Sequence, residues 1–194
     1  MARPREFDRE EALQKATELF WDKGFAATST DSLLSAMGIG RQSLYNAFGD
    51  KRRLYLEVLQ SYQERTVGGH LRRLNEPQSP LEGIRQLLIG LAATDDDVRA
   101  LGCLGVGSVG EFGTRDPELS RFAATTSRIL GARLVARIKE GQRLGEVDKA
   151  LDAQRVAEFV LLTMTGLQLS ARAGSDLKSM RQLANFAVDR LKAD

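Results

Sequence analysis

Apolar residues in this chain recur at spacings of three and four, and no stretch alternates apolar with polar positions over the length of a strand. The pattern predicts an all-α protein of about nine helices. A first helix opens at Asp8, with Glu11 as its capping-box partner, buries Leu13, Ala16, Leu19 and Phe20, and stops at Gly24. A second starts within Thr28-Ser29-Thr30-Asp31, a threonine followed three residues later by a carboxylate, and closes at Gly38. Gln42 to Phe48 forms a third helix of barely two turns, with Leu44 and Phe48 four apart on its inner side.

Asp50 caps a long fourth helix from Lys51 to about Leu74. Ser79-Pro80-Leu81-Glu82 places proline at a first helical position, and Asp116-Pro117-Glu118 starts another helix bearing Leu119, Phe122, Thr126, Ile129, Leu130, Leu134 and Ile138 along one face. The last two helices, about 152–172 and 176–192, are separated by Gly174 and Ser175. The first of them is apolar on nearly every side, so it needs a second cover. In a domain of this size a second copy of the chain, a homodimer through about 152–192, supplies it.

Two short helices joined by a glycine-containing turn, the second polar outward and apolar only at Leu44 and Phe48, read as a helix-turn-helix over about 29–48. A two-turn helix fits a DNA major groove. Arg41, Gln42, Ser43 and Asn46 are the side-chain types that hydrogen-bond base edges. Thr28 and Ser29 at a helix start, Tyr45 and Lys51 suit phosphates. Arg3 and Arg5 lie in an N-terminal arm able to add charge or enter a minor groove. The chain therefore divides into a DNA-binding domain of three helices, residues 6–66, and a larger C-terminal helical ligand-binding and dimerisation domain, residues 67–194.

Composition adjusts this picture little. A 194-residue chain that is 42% hydrophobic, with four prolines, is long enough to bury a core without staples. The net charge of +2 gives no argument for nucleic acid by itself. What matters is placement: Arg3, Arg5 and Arg9 at the start, then Arg41, then Lys51, Arg52 and Arg53 together. One cysteine, Cys103, excludes an internal disulfide and suits a reducing compartment, so the cytoplasm is expected. The basic N-terminus has no apolar run behind it, and no run of about 18 apolar residues exists, so neither a secretory signal nor a membrane span is expected.

Residues 6 to about 62 closely resemble the N-terminal domain of TetR-family transcriptional regulators. The resemblance rests on LFWDKGF, then ATST, then GIGRQSLYNAF, then GDKRRLYLEVL. It implies phosphate contacts at Thr28, Tyr45 and Lys51, and base reading at Arg41 to Ser43 with Asn46. It implies too a repressor released from operator DNA by an apolar or aromatic small-molecule effector. Thr30 and Gly40 depart from the family pattern, in which an aliphatic core residue and a serine-like turn residue are usual.

Other features carry less. Gly105 to Gly110 matches G-x-G-x-x-G, but no strand precedes it, so close helix packing or room for a ligand is expected and not a dinucleotide. Cys103 is either a buried core thiol or a redox sensor. Asp95, Asp96 and Asp97 lack the alternation of a calcium loop and read as a solvated loop. His70 is the sole histidine, so no zinc site or catalytic triad can be assembled, and neither enzyme activity, cofactor nor metal is expected. Leu87, Leu88, Leu91, Phe112, Phe122, Phe159 and Met164 are candidates for a cavity wall. Two alternatives stay open: a helical small-molecule binding protein without DNA function, and a regulator sensing redox state through Cys103.

Overall fold

The computed structural model describes residues 7–193. Its elements run α1 (Arg9–Lys23), α2 (Thr30–Met37), α3 (Arg41–Phe48), α4 (Lys51–Asn75), α5 (Pro80–Ile89), α6 (Asp96–Ala100), α7 (Leu104–Phe112), a 3-10 turn (Gly113–Arg115), α8 (Pro117–Leu144), α9 (Ala153–Arg172) and α10 (Leu177–Asp189). Among the described residues β structure amounts to one isolated bridge between Val147 and Lys192. The helix beyond the expected nine is α6: Asp95, read from the sequence as loop, accepts the N–H of Val98 and starts a five-residue helix.

The caps follow the local chemistry. Asp8, Asp50, Ser79, Asp116, Asp152 and Asp176 each accept backbone N–H groups of the turn that follows. The second helix departs from expectation by one position. Ser29 is its N-cap and accepts from Ser32, while Thr28 stands outside it.

Two apolar cores lie along α4. The first holds Ala16, Phe20, Leu33, Leu44, Phe48, Leu54 and Tyr55, and draws in Leu104 from α7 and Leu119 from α8. The second holds Leu87, Leu88, Leu134, Ile138, Val160 and Val188 from α5, α8, α9 and α10. Residues 66 and 67 fall inside α4, so the division expected there is marked by no linker. In α1 the buried face is Ala12, Ala16, Thr17 and Phe20, with Leu13 and Leu19 only partly covered.

α4 and α5 approach so closely that a β-carbon on Gly83 would lie 2.3 Å from the Leu74 carbonyl oxygen. Buried Arg137 completes that junction. Its Nε donates to the Leu74 carbonyl at 3.1 Å and its Nη1 to Glu140 at 2.7 Å. A guanidinium thus satisfies the end of α4 and is itself neutralised.

Candidate nucleic-acid interface

The turn between α2 and α3 is set by Gly38, whose φ of 66° and ψ of 32° put it in the left-handed region that glycine adopts without strain. Gly40 precedes α3 in extended conformation and offers no side chain to cap it. Leu44 is fully buried and Phe48 nearly so, which fixes α3 against the first core. The Arg9 guanidinium lies 4.5 Å from the Phe48 ring centroid, donates to both Glu57 oxygens at 2.6 and 2.8 Å, and reaches the Ala47 carbonyl at 3.2 Å. Arg9, counted in the sequence among cations available to phosphate, is therefore a clamp on the end of α3.

Burial at Leu44 and Phe48 turns Arg41, Gln42, Tyr45 and Asn46 to solvent, with Ser43 half-buried at the edge. These side chains hold one another in place. Arg41 donates to Asp31 at 2.6 Å, tying the start of α3 to α2, and Gln42 donates to Asn46 one turn on at 2.9 Å. Tyr45 is 48% exposed, with its ring on the same outer edge.

The expected phosphate set divides. Ser29 is exposed, and its hydroxyl, while capping α2, lies at the surface. Lys51 begins α4 with its ammonium 4.1 Å from the Phe25 ring centroid. Thr28 is fully buried and its hydroxyl donates to the Gly24 carbonyl at 2.6 Å, so its side chain closes the α1–α2 turn and presents nothing to a ligand. In the Lys51-Arg52-Arg53 run, Arg52 turns away toward α8 and donates to Asp116 at 2.6 Å and Glu118 at 2.8 Å. That contact holds the Asp116 carboxyl below the usual carboxylate range. Arg3 and Arg5 lie outside the described residues.

Several side-chain hydrogen bonds join this head to the rest of the chain, among them Trp21 Nε1 to the Gly102 carbonyl at 3.2 Å and three clasps made by charged side chains. Glu111, on α7, accepts the N–H groups of Phe25 at 2.9 Å and Ala26 at 2.6 Å. Arg172, at the end of α9, donates to the Trp21 and Asp22 carbonyls at 3.1 and 2.7 Å, as well as to Leu101 at 2.9 Å. The Arg52–Asp116 pair is the third. Sequence spacing gave no sign of the first two, because their partners lie 85 or more and 150 or more residues apart.

Beyond the clasps, α4, α7, α8 and α9 enclose a cavity of about 300 Å³. Of the seven wall candidates Leu91 and Met164 line it, together with Tyr62, Val106 and Leu130, whereas Leu87 and Leu88 are plain core, Phe112 and Phe122 pack against the first core and Phe159 faces outward. Cys103 is half-buried on its wall. Burial, with the Cys103 thiol beside it, pushes the Tyr62 hydroxyl up and keeps it protonated. The glycine run forms the middle of α7, where Gly105 is part of the cavity wall, and no strand precedes it. Among the described residues no group of three or more His, Cys, Asp or Glu side chains is placed to hold a metal, and no helix is long and apolar enough to cross a membrane.

Residues 12–58 match the family model of bacterial regulatory proteins, tetR family, and residues 81–187 match that of the tetracyclin repressor-like C-terminal domain. The chain is 32% identical over 193 residues to the uncharacterized HTH-type transcriptional regulator YezE of Bacillus subtilis, covering 98% of this chain and 100% of that one. It is 29% identical over 189 residues to the HTH-type transcriptional repressor ComR of Escherichia coli, covering 96% and 90%. A cysteine mutant of the TetR-family regulator CifR, solved on a 26 bp double-strand operator DNA, superposes with a TM-score of 0.84 at 26% identity over 98% of this chain and 100% of that one. With both of its halves matched and a relative aligned from end to end, the chain belongs to the TetR family of bacterial transcriptional regulators.

Proposed function

We propose that the protein is a cytoplasmic, homodimeric repressor that holds operator DNA through α3 and lets go when a small molecule fills the cavity. The observation carrying this reading is α3 itself: an inner edge anchored by Leu44 and Phe48, and an outer edge of Arg41, Gln42, Tyr45 and Asn46 left to solvent. Arg41, Gln42, Ser43 and Asn46 read base edges, exchanging their present contacts for the bases. Ser29, Tyr45 and Lys51 hold the flanking phosphates. The operator-bound CifR structure and the repressor relatives support this assignment.

Dimerisation through α9 and α10 is supported by an uncovered apolar face. Phe159, Leu162 and Leu169 on α9 and Leu183 and Phe186 on α10 are 42 to 73% exposed in the single chain. Such a stripe needs a partner, and a two-fold copy covers it with itself. Two recognition helices so related enter successive major grooves about 34–36 Å apart. One wall of the cavity is α7, whose far end grips the α1–α2 turn through Glu111, so displacement of α7 alters the position of the head.

Gel-shift titration of the purified protein on its own upstream region tests the reading. Tight binding there, with weaker binding to random DNA of the same length at the same salt, is expected. Equal affinity for both overturns it.

A further inference from the structure

No lysine, arginine, aspartate or glutamate lines the 300 Å³ cavity. Immediately beside it is a second cleft of about 510 Å³ between α1, α4, α6 and the segment that follows α5, and its character is opposite: Arg65, Arg72, Arg73 and Arg99 line it, with no carboxylate in its wall. Tyr62, Thr66, His70, Leu91 and Gln168 line both spaces. A chamber free of Lys, Arg, Asp and Glu and a cationic cleft thus share one partition.

The arginines differ in what occupies them. Arg99 is buried and committed to Asp96 at 2.7 Å and to the Ser175 and Ala93 carbonyls, so it belongs to the frame. Among the described residues Arg65 donates only to the neutral Gln14, at 3.2 Å. Neither Arg72 nor Arg73 has an ion-pair partner within 4.0 Å among the described residues. Arg73 is nonetheless placed: a β-carbon on Gly90 would lie 2.3 Å from its Nε, so the bare backbone of Gly90 is what lets the side chain lie across the end of α5.

Basic side chains in the last turn of a helix favour its dipole, which accounts for Arg72 and Arg73 on α4. That leaves Arg65, two turns earlier on the same face, and the missing carboxylates. Like charges gathered on one wall repel, and an anion relieves them.

We propose that cavity and cleft are one composite site for an amphipathic anion, an uncharged and largely apolar body in the chamber and a single carboxylate or phosphate at Arg65 and Arg73. The inference rests on the regulatory reading of the cavity and adds the chemical class of its ligand. His70 stands on the partition, where its buried Nδ1 has no hydrogen-bond partner. Burial and the neighbouring Arg73 push it down to about 4, so the imidazole is neutral at pH 7 and leaves charge selection to the arginines.

The test is displacement of Nile red, an uncharged dye, from the full-length protein by decanoate, decyl phosphate, decanol and decylammonium, each kept below micelle formation. The anions are expected to displace the dye at about tenfold lower concentration than decanol, with decylammonium weakest and the difference shrinking in high salt. Whichever anion is stronger identifies carboxylate or phosphate. Arg73→Gln and Arg65→Gln, both at exposed positions, should each bring the preferred anion toward decanol while leaving decanol unchanged. Decanol acting as well as both anions, or both variants leaving the anions unaffected, overturns the head-group assignment while the cavity reading stands. Failure of Nile red to bind overturns both, and operator gel shifts with each compound report separately on regulation.

Discussion

The Glu111 carboxylate on α7 accepts the backbone N–H of Phe25 at 2.9 Å, and its second oxygen takes the next N–H in line, that of Ala26. Helix α2 begins only a few residues later, so this side chain, on the helix whose Val106 and Val109 line the cavity, holds the turn that leads into α2 and α3. Glu111→Ala should cost about 1–2 kcal/mol of stability through the loss of two charge-assisted bonds. Amide hydrogen exchange at Phe25 and Ala26 should accelerate at least about tenfold, more than elsewhere in the head.

Arg41 and Lys51 are expected to separate two kinds of DNA contact. Arg41→Ala should relax the preference for operator over altered operator by about 1–3 kcal/mol at the base it reads. Lys51→Ala should weaken all sequences alike and reduce the slope of log affinity against log salt by about 1. Gel shifts at three salt concentrations distinguish them.

His70 makes stability depend on pH. Its folded value, near 4, lies below the unfolded 6.5, so the unfolded chain takes up the proton first. The contribution is full above pH 6.5, is lost as pH falls from 6.5 to 4, and changes no further below that. Denaturant titrations should show a drop of about 3 kcal/mol across this window, flattened in His70→Phe.

Leu162 is 73% exposed in the single chain, at the centre of the apolar stripe on α9. Leu162→Asp should weaken self-association by roughly a hundredfold or more while leaving helicity intact. Sedimentation velocity alongside circular dichroism would read both quantities.

Gly83→Ala runs against helix propensity. Alanine ordinarily favours a helix by about 1 kcal/mol over glycine. At Gly83, however, the new methyl would meet the Leu74 carbonyl at 2.3 Å, where backbone cannot yield as a flexible side chain does. A net loss of about 1–3 kcal/mol in thermal or chemical denaturation is expected.

Much of this fold was legible in the sequence because its helix boundaries are chemically marked. Asp8, Asp50, Ser79 and Asp116 start helices where the sequence placed those starts, Asp152 and Asp176 cap helices expected to begin about there, and Leu44 with Phe48 face inward as their four-residue spacing required. The recognition helix was legible for the same reason: its polarity is a property of consecutive residues. Errors came where two neighbouring residues offered the same chemistry. Thr28 and Ser29 both suit an N-cap, and packing chose Ser29, leaving the Thr28 hydroxyl to the Gly24 carbonyl. Charge was harder still to read. Arg9 and Arg52 look like neighbours of the DNA face, yet tertiary partners at Glu57 and Asp116 claim them, and nothing in local spacing announces a partner 48 or 64 positions away. The clasps of Glu111 and Arg172 were invisible for the same reason.

Helix α4 runs without a break for 25 residues, from Lys51 beside the proposed DNA face to the arginines of the cleft. At 1.5 Å per residue it is a rod roughly 37 Å long. A tilt of about 5° at its distal end sweeps the other by roughly 3 Å, enough to pull a recognition helix out of register with its groove. On the function proposed above, stiffness, a property of the uninterrupted hydrogen-bonded backbone, is what converts a small swelling of one chamber into mechanical leverage on the operator.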